Sequence, residues 1–405
     1  VTSAPQARGD NLLNQAIMFG AGNIGRGFLG QLFSESGYRV TFIDIDEPLI
    51  SALARQQAYT LRLVTNQETR DLRITPVTGI LSGDLASVAQ VVSQAQIGAT
   101  AVGARALPYI APAVAAGIQA RRQAGNQAPL NLIICENLKG AAAHFRALVR
   151  ERLDADDQSF LDRQVGFVDT VIGRMVPELT PELKAQDRTL VVAEPYKELP
   201  VDHNGFIGEI PAIVGMQAHD SFELFTARKL YLHNAGHAVL AYLGYLRGYQ
   251  LGYEALEDAW IRPILEAALD ESMRGIAKVY GADHTWLSAH VSDLLGRFAN
   301  RILADPVLRL GRDPLRKLAP DDRLVGAARA AETTGQTPLN LAYGIAGGLL
   351  FDPPGDERAA ELQQLIAHQG VEAALLQVCG IRADEPLGQA ILERYQCLLS
   401  ERREG

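Results

Sequence analysis

Lys229, Asn234 and His237 are spaced by five and then three residues in the run Lys229-Leu-Tyr-Leu-His-Asn-Ala-Gly-His237. At roughly 100° per residue on an α-helix they fall within an arc of about 140°, and His233 falls inside the same arc. A lysine drawn out of water loses basicity and can take a proton from a hydroxyl. An asparagine amide can donate to an alkoxide or carbonyl oxygen, and a histidine can donate to or orient a hydroxyl. Spacing alone is also consistent with a solvated lysine, a helix-surface asparagine and a satisfied histidine.

A second constellation suits phosphate. Gly20, Gly22 and Gly25 stand in G-x-G-x-x-G order with Asn23 and Ile24 between them, after the apolar run Ala16–Phe19 and before a helical stretch, Ile24–Phe33. In a dinucleotide site the first glycine makes the tight turn, the second lets backbone approach a pyrophosphate, and the third lets helix pack on strand. The helix N-terminus then offers its N–H groups to the phosphates. Asp44 closes the next strand candidate, Arg39–Ile43, where a carboxylate can bind a ribose 2′-hydroxyl and repel a 2′-phosphate, favouring NAD over NADP. The bland alternatives are a glycine-rich strand–helix turn and a strand-end aspartate. A third cluster, Arg297 to Arg323, sets seven bases against four acids, either an anion site or an ion-paired surface.

The elements that must position these residues can be read from periodicity. Further strands are expected at Tyr59–Val64, Ile74–Ile80, Ile97–Val102, Leu130–Cys135, Val165–Asp169 and Leu190–Ala193, with helices between most of them. That alternation predicts an α/β fold, a doubly wound Rossmann-type sheet. Val102 and Gly103 end one strand where a nucleotide's ribose edge would lie, and Glu136 and Asn137 end another where substrate or nicotinamide would lie. From Ser221 onward helix signals dominate, so a mostly helical domain is expected to follow. The divisions expected are a flexible leader at 1–15, a nucleotide-binding domain at 16–205 and a helical substrate domain at 206–405.

The 405 residues are 47% hydrophobic with a net charge of −9, which supports a large core and argues against nucleic acid as partner. The three cysteines, Cys135, Cys379 and Cys397, suit a reducing compartment rather than a disulfide scaffold, and the N-terminal stretch carries no apolar signal core. No long apolar run is present that would span a membrane. A cytoplasmic protein is the expectation.

Together these motifs resemble the polyol-specific long-chain dehydrogenases. The matching runs are FGAGNIGRGFLG at Phe19–Gly30, TAVG at Thr100–Gly103, CENLKGAA at Cys135–Ala142, KLYLHNAGHA at Lys229–Ala238 and RLGRDPLRKLAPDDRL at Arg309–Leu324. The resemblance implies NAD as cofactor, no metal, and catalysis between the two domains. It implies Lys229 as general base, Asn234 and His237 as contacts of the reacting oxygen, and Asn137 as a second asparagine stabilising it. The substrate implied is a small sugar-alcohol phosphate, mannitol 1-phosphate, oxidised reversibly to fructose 6-phosphate by a monomer or homodimer. Arg301, Arg309, Arg312 and Arg174 are the candidates for its phosphate. Family members acting on free sugars often carry a glutamate one turn before the lysine, where this chain has Thr226. A dehydrogenase of a free polyol or hexuronate, and a non-catalytic NAD sensor, are the alternatives.

Overall fold

The computed structural model describes residues 14–404, so all but the last two positions of the expected leader lie outside the described residues. Those two, Asn14 and Gln15, already belong to a strand. The chain forms two compact units, Val1–Phe222 and Glu223–Gly405.

Among the described residues the first unit holds eleven strands: β1 (Asn14–Phe19), β2 (Tyr38–Asp44), β3 (Tyr59–Val64), β4 (Thr69–Ile74), β5 (Val77–Leu81), β6 (Ile97–Thr100), β7 (Leu130–Ile134), β8 (Val165–Asp169), β9 (Val191–Ala193), β10 (Leu199–Asp202) and β11 (Met216–His219). Six make one sheet in the order β5-β2-β1-β6-β7-β8, every pair parallel. The strand order reverses between β1 and β6, the point where doubly wound sheets bind nucleotides. Alternate residues of β1 explain why both faces are covered. Ala16 and Met18 join a core with Phe28, Phe33 and Phe42, while Ile17 and Phe19 join another with Val88, Val114 and Phe145. The stretch expected as one strand, Ile74–Ile80, is divided between β4 and β5, because β4 turns away to pair antiparallel with β3 in a small side sheet completed by β9.

The first unit ends later than residue 205 for a physical reason. β10 and β11 pair in parallel, and the Thr170 hydroxyl donates to the Pro200 carbonyl at 2.7 Å. The buried Asn131 side chain in β7 also exchanges two hydrogen bonds with the Ile207 backbone, at 2.9 and 3.1 Å. The polar stretch around residue 205 is thereby stitched to the sheet rather than left as a linker.

The second unit is helical. Its opening helix runs through Phe222–Arg228, a π-helical turn at Lys229–Asn234, and Ala235–Leu246. Two helices follow, Gly252–Glu257 and Ile261–Tyr280, separate because the Asp258 carboxylate accepts from the N–H groups of Trp260 and Ile261 and starts the second afresh. His284–Phe298, Val325–Glu332, Leu339–Leu349 and Pro386–Glu404 are among the helices that follow.

Candidate active site

In the first unit the glycine loop lies where β1 ends. Gly20 has φ +97°, and a Cβ on it would collide with the Ala101 carbonyl oxygen beyond β6. A Cβ on Gly25 would collide with the carbonyl of Gly20 itself. At Gly22, which is exposed, a Cβ would meet nothing within 4 Å. Two glycines are thus required by the fold, while the middle one is not, which leaves open backbone on the side a ligand would approach. The helix that follows begins at Asn23 and passes through a π-helical turn at Gly25–Leu29, and the Asn23 amide donates to the Pro177 carbonyl at 3.4 Å.

The sequence reading missed Arg26. Its guanidinium is buried and donates to Ala21 O at 2.5 Å, Thr189 O at 2.6 Å and Leu190 O at 3.2 Å. Tyr59 Oη donates back to Arg26 O at 2.6 Å. This arginine braces the loop from beneath, and a single basic residue inside a glycine motif gave no signal of that role.

Asp44 closes β2 beside the loop. Its Oδ2 accepts from Ala21 N–H at 2.6 Å and its Oδ1 from Asp46 N–H at 3.0 Å. Each carboxylate oxygen can accept a further bond, so the ribose role is compatible with this loop-tying one. Val102 and Gly103 have their N–H groups occupied by the Glu136 carboxylate, at 3.0 and 2.8 Å, and the Gly103 carbonyl accepts from Ala106 N–H at 2.8 Å. Glu136 and Asn137 follow β7 directly, as expected. Arg174 is buried: its Nε donates to Glu194 O at 2.7 Å, its Nη1 to Gln31 Oε1 at 2.6 Å, and it lies 5.5 Å from the Phe28 ring centre. That setting braces it within the first unit.

In the second unit the π-helical turn spans Lys229 to Asn234. An i→i+5 turn stacks residues five apart, so Lys229 and Asn234 come nearer one face than an α-helix would allow. Burial pushes the Lys229 ammonium down to about 8, with Arg323 and Arg316 adding to the shift and Asp322 opposing it. Arg323 is itself buried and donates to Asp322 Oδ1 at 2.7 Å. The helix Val325–Glu332 approaches this turn through Gly326, where a Cβ would lie 2.8 Å from the Tyr231 ring.

His237 stacks on Phe298 at 4.1 Å between ring centres and 29° between planes. His233 stands edge-on to both rings, at 4.8 and 5.7 Å. Burial holds both histidines well below their ordinary pKa, assisted at His233 by His237 and Arg297 and at His237 by Arg309 and Arg297. Both are therefore neutral at pH 7. Immediately before the lysine, Arg228 is buried against Phe225 and Trp286, 5.0 and 4.6 Å from their ring centres, which fixes the start of the π turn.

The arginine-rich segment is mostly ion-paired. Arg301 bonds Glu257 at 2.6 Å, Arg309 pairs with Asp305, Arg316 with Asp313 at 3.2 Å, and Arg297 with Asp293 at 3.5 Å. Lys317 is buried with its Nζ donating to the Leu310 carbonyl. Arg312 is exposed and makes no ion pair or hydrogen bond among the described residues. No group of three or more His, Cys, Asp or Glu among the described residues could hold a metal ion. No helix among them is long and apolar enough to cross a membrane.

A parallel sheet in this strand order with a glycine-rich first turn, followed by a helical unit carrying a half-buried lysine, defines the class of two-domain dehydrogenases with a Rossmann-type domain. Residues 14–215 match the mannitol dehydrogenase Rossmann domain and residues 221–399 the mannitol dehydrogenase C-terminal domain. The chain belongs to the mannitol dehydrogenase family. Among solved structures it is similar to Pseudomonas fluorescens mannitol 2-dehydrogenase in a ternary complex with NAD and D-mannitol, with 19% identity, TM-score 0.75, 97% of this chain and 92% of that one covered. It is also similar to a D-sorbitol dehydrogenase in substrate-free form, with 17% identity, TM-score 0.80, 96% and 93% covered.

Proposed function

We propose that this protein is an NAD-dependent polyol dehydrogenase, and more narrowly a mannitol-1-phosphate 5-dehydrogenase interconverting mannitol 1-phosphate and fructose 6-phosphate. The observation that carries the dehydrogenase reading is a lysine with its pKa brought to about 8, set on a π turn with Asn234 and followed by His237. The first unit fits a dinucleotide. Gly22 presents open backbone, the helix from Asn23 points its N-terminus there, and Asp44 supplies a carboxylate that accepts from ribose hydroxyls and disfavours a 2′-phosphate. Bound NAD would supply the hydride acceptor. Neutral Lys229 Nζ takes the carbinol hydroxyl proton, while the amides of Asn234 and Asn137 and the imidazole of His237 donate to the oxygen as its charge develops. In the reverse direction the Lys229 ammonium returns the proton.

The phosphate reading rests on the family resemblance and on Arg312, the exposed arginine that lacks a carboxylate partner. A second reading, oxidation of a free polyol or hexuronate, draws support from the internal pairing of Arg301 and Arg309 and from the two solved relatives, named for mannitol and sorbitol. The deciding experiment is NADH oxidation with fructose 6-phosphate, fructose and tagaturonate. A kcat/KM for fructose 6-phosphate at least tenfold above the others establishes the narrower reading, and comparable values for free fructose replace it with the second. Arg312→Ala should then raise KM for fructose 6-phosphate by roughly 10- to 150-fold, the worth of one charged hydrogen bond, and leave fructose unchanged.

A further inference from the structure

Beyond β6 the sheet continues for one residue on each side. Ala101 N–H donates to Phe19 O at 2.8 Å, and Cys135 N–H to Thr100 O at 3.0 Å. Past that point the backbone of Val102 and Gly103 leaves the ladder with two N–H groups in need of acceptors. Glu136 supplies both. The residue is 7% exposed, with Oε1 accepting from Val102 N–H and Oε2 from Gly103 N–H, so one side chain from the end of β7 spans two consecutive amides at the end of β6. Asp44 repeats the device from the other flank, tying the Ala21 N–H past β1 to the end of β2. The four neighbouring strand ends β2, β1, β6 and β7 are thus joined by two carboxylates at the point where the strand order reverses. Only a carboxylate suits the Glu136 position, because it presents two acceptors and no donor.

We propose that Glu136 is a positioning residue that locks the Val102–Gly103 turn and the adjoining Asn137 into one rigid piece, so that dinucleotide and reacting oxygen are held in a common frame. This rests on the dinucleotide reading of the glycine loop. Glutamine in its place keeps the shape but satisfies one amide and turns an NH₂ toward the other, so the turn must shift. A displacement of about 1 Å at a reacting centre can cost on the order of 100-fold in rate.

The test uses Glu136→Gln in the full chain, with the NADH dissociation constant read by fluorescence titration, kcat and KM for the carbonyl substrate, and Tm. The expected result is an NADH Kd raised about 5- to 20-fold and kcat lowered about 10-fold or more, with KM for the carbonyl substrate changed less and Tm lowered by only a few degrees. A folded variant with NADH Kd and kcat within twofold of wild type overturns the proposal, as does a loss confined to Tm. If Glu136→Gln does not fold, Glu136→Asp decides. It keeps both acceptors but shortens their reach by one methylene, and it should weaken NADH binding several-fold. Unchanged binding overturns the proposal there too. Wild-type protein that fails to bind NADH sinks the dinucleotide reading itself, whereas wild-type binding with unaltered variants sinks only the role of Glu136.

Discussion

On the proposed mechanism Lys229 sets the chemistry by its protonation state, and the sign follows directly. A base must be neutral to accept the carbinol proton, so kcat/KM for polyol oxidation should climb with pH up to about 8 and then level off. The carbonyl reduction needs the ammonium and should fall above about 8. Lys229→Ala should lower turnover by ~10²–10⁴-fold and abolish this limb, with NADH binding retained. Near-normal turnover by the folded variant would remove Lys229 from its role. At Asp44 the outcome is a ratio: the wild type should prefer NAD strongly, and Asp44→Ala should narrow that preference, measured as kcat/KM with NAD against NADP. Equal efficiency of the wild type with both cofactors would remove Asp44 from its discriminating role. The residue types and their spacing made these positions legible in the sequence. The settings of Arg26 and Arg174 were not, because an arginine reads the same whether it braces backbone carbonyls or waits for an anion.

Among the elements, the glycine loop separates fold from function within six residues. Gly25→Ala puts a methyl against the Gly20 carbonyl and should lower Tm substantially, whereas Gly22→Ala enters open space and should leave Tm within a degree or two while weakening NADH binding at least tenfold. Equal Tm losses in the two variants, or intact NADH binding by Gly22→Ala, would contradict this division. All the strands of the main sheet except β5 were legible to within two residues because parallel strands buried on both faces are continuous apolar runs, as in Leu130–Ile134, whereas β5 was run together with β4. β10 and β11 were not, since Leu199–Asp202 holds a proline and Met216–His219 is half exposed, and what makes them strands is their pairing. The π turns at Gly25–Leu29 and Lys229–Asn234 leave no mark in composition, so a uniform α-helical periodicity misplaced Asn234 relative to Lys229.

For the whole molecule, buried neutral bases determine how stability runs with pH. His233 sits well below its ordinary pKa in the folded state, so the unfolded chain binds the extra proton and stability falls as pH drops below about 6.5. Lys317, pushed down to about 6 chiefly by burial and by Arg323 and Arg316, is neutral in the fold and charged when unfolded from about pH 6 to 10, so its contribution grows with pH across that window. Each adds at most about 1.4 kcal/mol per pH unit. Although the chain carries a net charge of −9, its Tm should therefore rise from pH 5 to pH 9, and Lys317→Met should flatten the rise above pH 6. A Tm that peaks near pH 6 in both proteins would show these groups to be charged in the fold. The base-rich segment shows the limit of composition at this scale. Seven bases against four acids left open an anion site or an ion-paired surface, and Glu257 and Asp293, outside the segment, supply partners that a local count omits.

The π turn before Ala235 has a consequence for heritable change. One extra residue is accommodated there, so a three-nucleotide deletion removing any one of residues 230–232 would leave an unbroken α-helix. The buried segment Ala235–Leu246 would stay in its core, and the lysine, now four residues before the asparagine, would stay on the same face, about 40° from it. The gene product should therefore still fold, bind NADH and keep measurable turnover, a lesion that circular dichroism and an activity assay would both pass over. Loss of turnover by at least 10²-fold in such a folded variant would show that the extra residue itself sets the geometry of the site.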